Sequence, residues 1–422
     1  MSQIITMDIW IVLIVVIFFL SLMEILLFVW VNFVRNHFPW LITKKDECPQ
    51  LSKEGLEKFI PTGFDPELGW IRKPNTSGSE TSKSTKSTWT INSTGSRTNP
   101  DFEKTKSLIS CYGDSFTFAR QVNDDQTWEH FLSKKLTTNV LNFGVGNYGI
   151  DQSLLRLKRD FSKNRTKIVI LGVVPDTISR ILSTWKHYYE YGNTFAFKPR
   201  FMIKENKLIL IENLINDKSN FLNYTKYLKE IQKNDFFYEQ KFKKEQLHFP
   251  YILSILKNIR RNIPIILWIT IIEFLQRIKY DTSRIDWNPM KIIMKINLKW
   301  RIKLYKNQDT TKLLDQIIQD FISYSVQEKF TPVFVFLPQK DDIIYTKNNF
   351  HFYKDFINSL SKKENLIFID IMKHLLQVSN LDEYYSDDNE YGGHYSKFGN
   401  EKISEIISEE LLSFKSIKNH FQ

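Results

Sequence analysis

Five short apolar runs separated by stretches of helical period constrain this 422-residue chain more than any other feature. Residues 107–112, 139–145, 167–174, 332–337 (PVFVFL) and 366–371 (LIFIDI) have the length and the β-branched or aromatic content of buried strands. Between them, residues 126–136 place Trp128, Phe131, Leu132 and Leu136 on one helical face, and residues 151–161 do the same with Leu154, Leu155 and Leu157. Residues 311–329, 350–360 and 397–414 read as further helices. Strands that alternate with helices join by crossovers, so the spacing predicts an α/β fold with a parallel sheet covered on both faces.

The first run leads into CYGDSFTFAR, residues 111–120. A serine at the C-terminal tip of a buried strand is held by backbone, and open α/β sheets bind ligands at that edge. Gly113 permits a tight turn and Asp114 can accept bonds from nearby backbone N–H groups. A serine hydroxyl needs a base within hydrogen-bond reach. His394 suits that role best among the eight histidines: it follows Gly392 and Gly393, with Ser396 placed to cap the last helix. His187 is the reserve candidate.

Gly113-Asp114-Ser115-Phe116-Thr117-Phe118, then Val140-Leu141-Asn142-Phe143-Gly144-Val145, then Gly392-Gly393-His394-Tyr395-Ser396 resemble the SGNH (GDSL-type) hydrolase family over residues 60–200 and 325–413. The resemblance implies a flavodoxin-like three-layer sandwich, Ser115 as nucleophile and His394 as its base. It also implies four signature blocks, of which two are altered here. The family's aspartate three residues before the histidine is replaced by Tyr391, which leaves Glu390, Asp388 or a backbone carbonyl to orient the imidazole. The oxyanion donors expected are the Ser115 N–H, a glycine after the second strand and an asparagine after the third. Asn147 stands at the glycine position, with Gly146 beside it, and Pro175 stands at the asparagine position. The activity implied is ester hydrolysis or acyl transfer, on a small ester or an O-acylated glycan, by an anchored enzyme. A catalytically idle binding or assembly protein of the cell envelope is the rival.

Residues 9–34 are apolar except chiefly for Ser21, Glu24 and Asn32. At ~1.5 Å per residue they form a helix of roughly 39 Å, enough to cross a ~30 Å hydrocarbon core with tilt. No basic residue precedes the run and no small-residue cleavage site follows it, so a retained anchor in the lipid bilayer is expected rather than a cleaved signal. Arg35, Lys44 and Lys45 follow the helix, which by charge places the remainder in the cytoplasm; many anchored members of the family act on the outer side, and the side stays open. A charge at Glu24 is costly in mid-membrane, so the side chain is either protonated there or faces a partner helix. Residues 263–275 are too short for a span and read as a buried or interfacial helix.

The organisation expected is an anchor over 1–35, a connector over 36–61, the first part of the catalytic domain with a β-containing prelude over 62–177, a helical, aromatic-rich insertion over 178–310 lying over or beside the active-site edge, and the second part over 311–422. Within the insertion, Arg180, Trp185, Lys186, His187, Tyr188 and Tyr189, then Lys198-Pro199-Arg200-Phe201, read either as a glycan or acyl-donor contact surface or as ordinary packing and a solvated edge. The net charge of +11 comes from dispersed lysines with acids between them, which fits solvated faces or faces near anionic lipid or glycan. No helix-turn-helix, RNP or zinc-finger pattern points to nucleic acid. No HExxH, paired CxxC or EF-hand loop points to a metal, and residues 144–149 lack the spacing of a nucleotide loop, so no cofactor is expected.

Overall fold

A computed structural model of the chain describes residues 2–34, 40–81, 86–387, 391 and 393–421. They form two compact units, Leu51–Phe236 with Asn297–Gln422, and Met1–Gln50 with Phe237–Ile296.

The larger unit is built on five parallel strands, β1 (Ser107–Gly113), β2 (Asn139–Gly144), β3 (Ile168–Val173), β4 (Thr331–Phe336) and β5 (Ile367–Asp370). Their order in the sheet is 2-1-3-4-5. Every residue of the central strand β3, IVILGV, is buried, the continuous apolar reading that a strand covered on both faces requires. The covering helices are α1 (Trp128–Leu136), α2 (Ile150–Asp160), α3 (Gln308–Glu328) and α4 (Lys397–Ser413). Helix α1 packs on α4 and α2 packs on α3, giving the three layers expected. Thr127 caps α1 by accepting the His130 N–H at 3.1 Å, and Ser396 caps α4 by accepting that of Gly399 at 3.0 Å. Strand order reverses between β1 and β3, and in open α/β sheets ligands bind beyond the C-terminal ends of the strands at such a reversal.

The Ser/Thr-rich stretch ahead of β1 is a hairpin of Thr76–Thr81 and Lys86–Ile91. Trp89 packs edge-on against Phe118, with ring centroids 5.8 Å apart. The first part of the insertion belongs to this unit and includes a second hairpin, Arg200–Lys204 with Lys207–Ile211. The sugar-surface reading of its aromatic and basic run is corrected here. Trp185, His187, Tyr188 and Tyr189 are at most 1 % exposed, and Lys198 and Arg200 are buried with them. Trp185 stacks on Phe197 at 4.7 Å, and Lys198 is ion-paired with Asp151. A face spent on core packing has no rings left to offer a sugar.

In the smaller unit, the apolar N-terminal helix Ser2–Val29 runs on through a π-helical turn, Trp30–Val34. Its stretch Ile9–Phe33 is long and apolar enough to cross a membrane. Residues 263–275 fall within a longer helix, Ile259–Arg277. Glu24 accepts the backbone N–H of Ile252 at 3.0 Å and that of Tyr251, the first residues of helix Tyr251–Lys257. Its hydrogen-bonding partner is therefore a helix of its own chain. No disulfide joins Cys48 and Cys111.

Candidate active site

The turn after β1 is wedged over a row of glycines. Gly113 of β1 pairs in register with Gly144 of β2 and Gly172 of β3. A Cβ on Gly113 would lie 2.3 Å from the Thr117 hydroxyl, and one on Gly144 would lie 2.2 Å from the Phe118 nitrogen. Only bare backbone at these tips lets residues 115–118 fold down across three strands. The Thr117 hydroxyl then donates to the Gly172 carbonyl at 2.6 Å, and the Asn142 amide donates to the Thr117 carbonyl at 2.7 Å. Asp114 is fully buried beneath the turn. One carboxylate oxygen accepts the Phe116 N–H at 2.8 Å; the other accepts the Val174 N–H at 2.9 Å and the Arg180 guanidinium at 3.0 Å. Its backbone-binding role matches the sequence reading.

Arg97, which sequence reasoning missed, ties down the next few residues. Its guanidinium donates to the carbonyls of Phe118 (2.6 Å), Ala119 (2.8 Å) and Val122 (2.6 Å), and pairs with Asp124 at 2.7 Å. The segment needs such support because Ala119 and Gln121 both adopt left-handed backbone, at φ +53° and +70°. A signal existed: Arg97 is the only charged residue between positions 87 and 100.

His394 reaches this turn from the far end of the chain. Its ring centroid lies 4.8 Å from that of Phe116, the residue after Ser115, and Tyr395 packs edge-on to the same ring at 4.9 Å. The loop is held by the Ser386 N–H, which donates to the His394 carbonyl at 2.8 Å, and by the Tyr395 hydroxyl, which donates to the Pro338 carbonyl at 3.1 Å. The group that contacts the imidazole is Gln121, also missed from sequence. Its Oε1 accepts the His394 backbone N–H at 2.7 Å and lies 3.1 Å from Nδ1. A backbone N–H can only donate, so the amide presents its oxygen here, and Nδ1 must carry the proton to bond it. The imidazole is then the tautomer with its lone pair on Nε2. Burial, with Arg120 and Arg180 adding like charge, pushes the His394 pKa well below the ordinary histidine value, so the ring is neutral. Gly393 sits at φ +67°, and a Cβ there would lie 2.7 Å from Gln121 Oε1. Asp388 and Glu390, the carboxylates expected near the imidazole, lie outside the described residues, as does Gly392.

The Ser115 side chain is 5 % exposed, and its hydroxyl makes no hydrogen bond among the described residues. The backbone N–H groups of Ser115 and Gly146 likewise donate to no acceptor among them. These residues stand two positions past the paired glycines Gly113 and Gly144, so both follow adjacent strand tips. A Cβ on Gly146 would meet nothing within 4 Å, and the Gly146 carbonyl is held by the Trp70 indole N–H at 2.9 Å. Asn147 takes left-handed backbone at φ +67°, as a residue standing in for glycine must, and its side chain makes no hydrogen bond among the described residues.

After β3 the chain is committed to structure. The Pro175 carbonyl accepts the Tyr305 hydroxyl at 2.9 Å. Asp176 accepts the Tyr189 hydroxyl at 2.6 Å and pairs with Arg180 and Arg301, each at 3.2 Å. Burial alone would raise the Asp176 carboxyl, but Arg301 and Arg180 hold it below its usual value. His187, the reserve base, lies against Trp185 with ring centroids 4.7 Å apart, and its Nδ1 accepts the Gly192 N–H at 3.2 Å, so it is occupied in packing. Among the described residues no cluster of side chains suits a metal ion.

No family model and no curated protein matches the chain. Solved structures that match include a G-D-S-L family protein from Desulfitobacterium hafniense, at 14 % identity, covering 72 % of this chain and 98 % of its own with a TM-score of 0.33. Another is the acetyl xylan esterase AlAXEase, at 12 % identity, covering 71 % and 98 % with a TM-score of 0.34. Superpositions this loose transfer no residue role.

Proposed function

We propose that the chain is a membrane-anchored serine esterase or O-acyltransferase. Ser115 Oγ attacks an ester carbonyl and its proton passes to Nε2 of His394. The N–H groups of Ser115 and Gly146 donate to the oxyanion, with the Asn147 amide in reserve for the donor that Pro175 cannot supply. Collapse of the tetrahedral intermediate breaks the ester C–O bond, and the alcohol leaves with the proton from His394. Water then attacks the acyl-serine in hydrolysis, or a sugar hydroxyl does so in transfer, with His394 again taking the proton. The substrate class is an ester-bearing small molecule or an O-acylated glycan, and Ile9–Phe33 holds the enzyme in the bilayer.

The observation that supports this reading is the pairing of Gln121 Oε1 with both N–H groups of His394 beside the Ser115 turn. It prepares a neutral imidazole whose Nε2 makes no hydrogen bond among the described residues, the form a general base needs. One feature favours the rival, an idle fold that only binds. Losing a single oxyanion donor costs about 3–4 kcal/mol of transition-state stabilisation, and Pro175 removes one. Full-length protein in detergent, treated with a fluorophosphonate probe and assayed on p-nitrophenyl acetate, separates the two. Labelling and turnover that vanish in Ser115→Ala support the enzyme; a wild-type protein that neither labels nor turns over is the idle fold. Faster acyl release on adding a glycan acceptor distinguishes transfer from hydrolysis.

A further inference from the structure

The smaller unit leaves a long apolar face uncovered. Along helix Ile259–Arg277 and the residue after it, Ile259, Ile263, Leu267, Ile271, Phe274 and Ile278 recur at steps of three and four and are 37–63 % exposed. The opposite side of the same helix is spent inside the unit: Ile265 and Ile269 pack in a core with Val31, Tyr251 and Ile293. Ahead of it, Phe249, Leu253 and Leu256 are each more than half exposed. An isolated exposed leucine needs no explanation, but a stripe of this length does.

What covers it follows from where it is attached. Glu24 lies three residues past the middle of Ile9–Phe33, about 5 Å along the axis. Its carboxylate accepts the first N–H groups of helix Tyr251–Lys257, and the Tyr251 hydroxyl accepts the Asn32 amide at 2.8 Å. The two polar side chains that interrupt the later part of the apolar helix are thus both spent on one neighbouring segment. If Ile9–Phe33 crosses a bilayer, residues 250–252 lie within its hydrocarbon, where a free carboxylate and free N–H groups would each cost several kcal/mol. Residues 237–296 carry eleven Lys and Arg against five Asp and Glu, the balance that anionic headgroups attract.

We infer that residues 249–278 form a second membrane contact, a wedge docked on the anchor through Glu24 and Asn32, whose exposed stripe faces the acyl chains of the same bilayer leaflet. The occupant of the stripe is lipid. The smaller unit is then a membrane platform of one spanning and one dipping segment, and Glu24 is its clamp. This rests on the anchor reading above.

Cysteines introduced one at a time at Leu267 and Leu253, in a Cys48→Ala background whose remaining Cys111 is buried, are labelled with bimane in the full chain and reconstituted into phosphatidylcholine–phosphatidylglycerol vesicles. Quenching is compared between doxyl-labelled lipid and aqueous iodide. Leu22→Cys reports the anchor and Lys312→Cys reports an exposed site on the other unit. Expected is at least threefold stronger quenching by doxyl lipid than by iodide at positions 267 and 253, as at 22, with the reverse at 312. Iodide quenching at 267 and 253 with lipid quenching intact at 22 overturns the wedge, because the stripe is then in water. Protection from both quenchers overturns it too, because the stripe is then covered by a second copy or another protein. Loss of lipid quenching at Leu22→Cys sinks the anchor reading itself.

Discussion

Replacing Gln121 with glycine isolates the contact on which the proposed chemistry turns. The residue sits at φ +70°, where glycine is at least as comfortable as glutamine, so the backbone has no reason to move. What disappears is the Oε1 that lies 2.7 Å from the His394 nitrogen and 3.1 Å from Nδ1. A hydrogen bond to a group that becomes charged is worth about 1.5–3 kcal/mol. The Nδ1–H bond strengthens as the imidazole takes the serine proton, so its loss lowers kcat/KM roughly 10- to 150-fold. Gln121→Glu makes the complementary change by placing a carboxylate at the same position. An opposite charge at that range favours the imidazolium and raises the His394 pKa. The wild-type ring is held well below the ordinary value, so its neutral form, and with it activity, persists to low pH. The acid limb of kcat/KM therefore moves up in pH in Gln121→Glu and stays low in Gln121→Gly. The assay is p-nitrophenyl acetate turnover from pH 4 to 9, with Ser115→Ala subtracted. If both variants keep kcat/KM within twofold and the acid limb in place, Gln121 does not orient the base and the proposed dyad is wrong.

Gly393→Ala should disturb the same contact from the other side: its methyl would stand 2.7 Å from Gln121 Oε1 at a φ of +67°, and kcat is expected to fall at least tenfold while the strained backbone costs about 1–3 kcal/mol of stability in chemical denaturation. Arg97→Ala strips three carbonyls and Asp124 of their buried partner, so chemical denaturation should show about 3–5 kcal/mol of lost stability; less than 1 kcal/mol refutes its bracing role. Glu24→Leu frees the first N–H groups of helix Tyr251–Lys257 and should raise protease cleavage near residue 250 in vesicles severalfold, while the protein stays membrane-bound; an unchanged cleavage pattern counts against the clamp.

The sheet was legible because its strands are buried on both faces and read as unbroken apolar runs, and because helical periods fill the gaps between them. The Ser115 turn was legible from local chemistry: Gly113, Asp114 and Ser115 act within a few residues of one another. Asn147 announced its left-handed backbone by standing where glycine was expected. Gln121 gave no such sign. Its role comes from a contact 273 residues away in sequence and from a backbone angle that no neighbouring residue type dictates. The sugar-surface reading of residues 180–201 failed because composition cannot tell aromatic and basic side chains that face water from those whose charges are spent on Asp151 and on backbone carbonyls. Glu24 was legible as an anomaly, while its remedy, 227 residues on, was not.

Arg301 ties the strand tip next to that of Ser115 to the far end of the insertion. Its guanidinium pairs at once with Asp176, just past β3, and with Asp342, just past β4, while Asp341 lies 3.7 Å away. All three carboxylates are buried, and the one cation they share is supplied from residues that a domain trimmer would discard as decoration. A shortened chain cut at 178 and 310 would keep every strand of the sheet and still strand three acids in its floor. The shortest version of this protein that can stand up has to carry residue 301 with it.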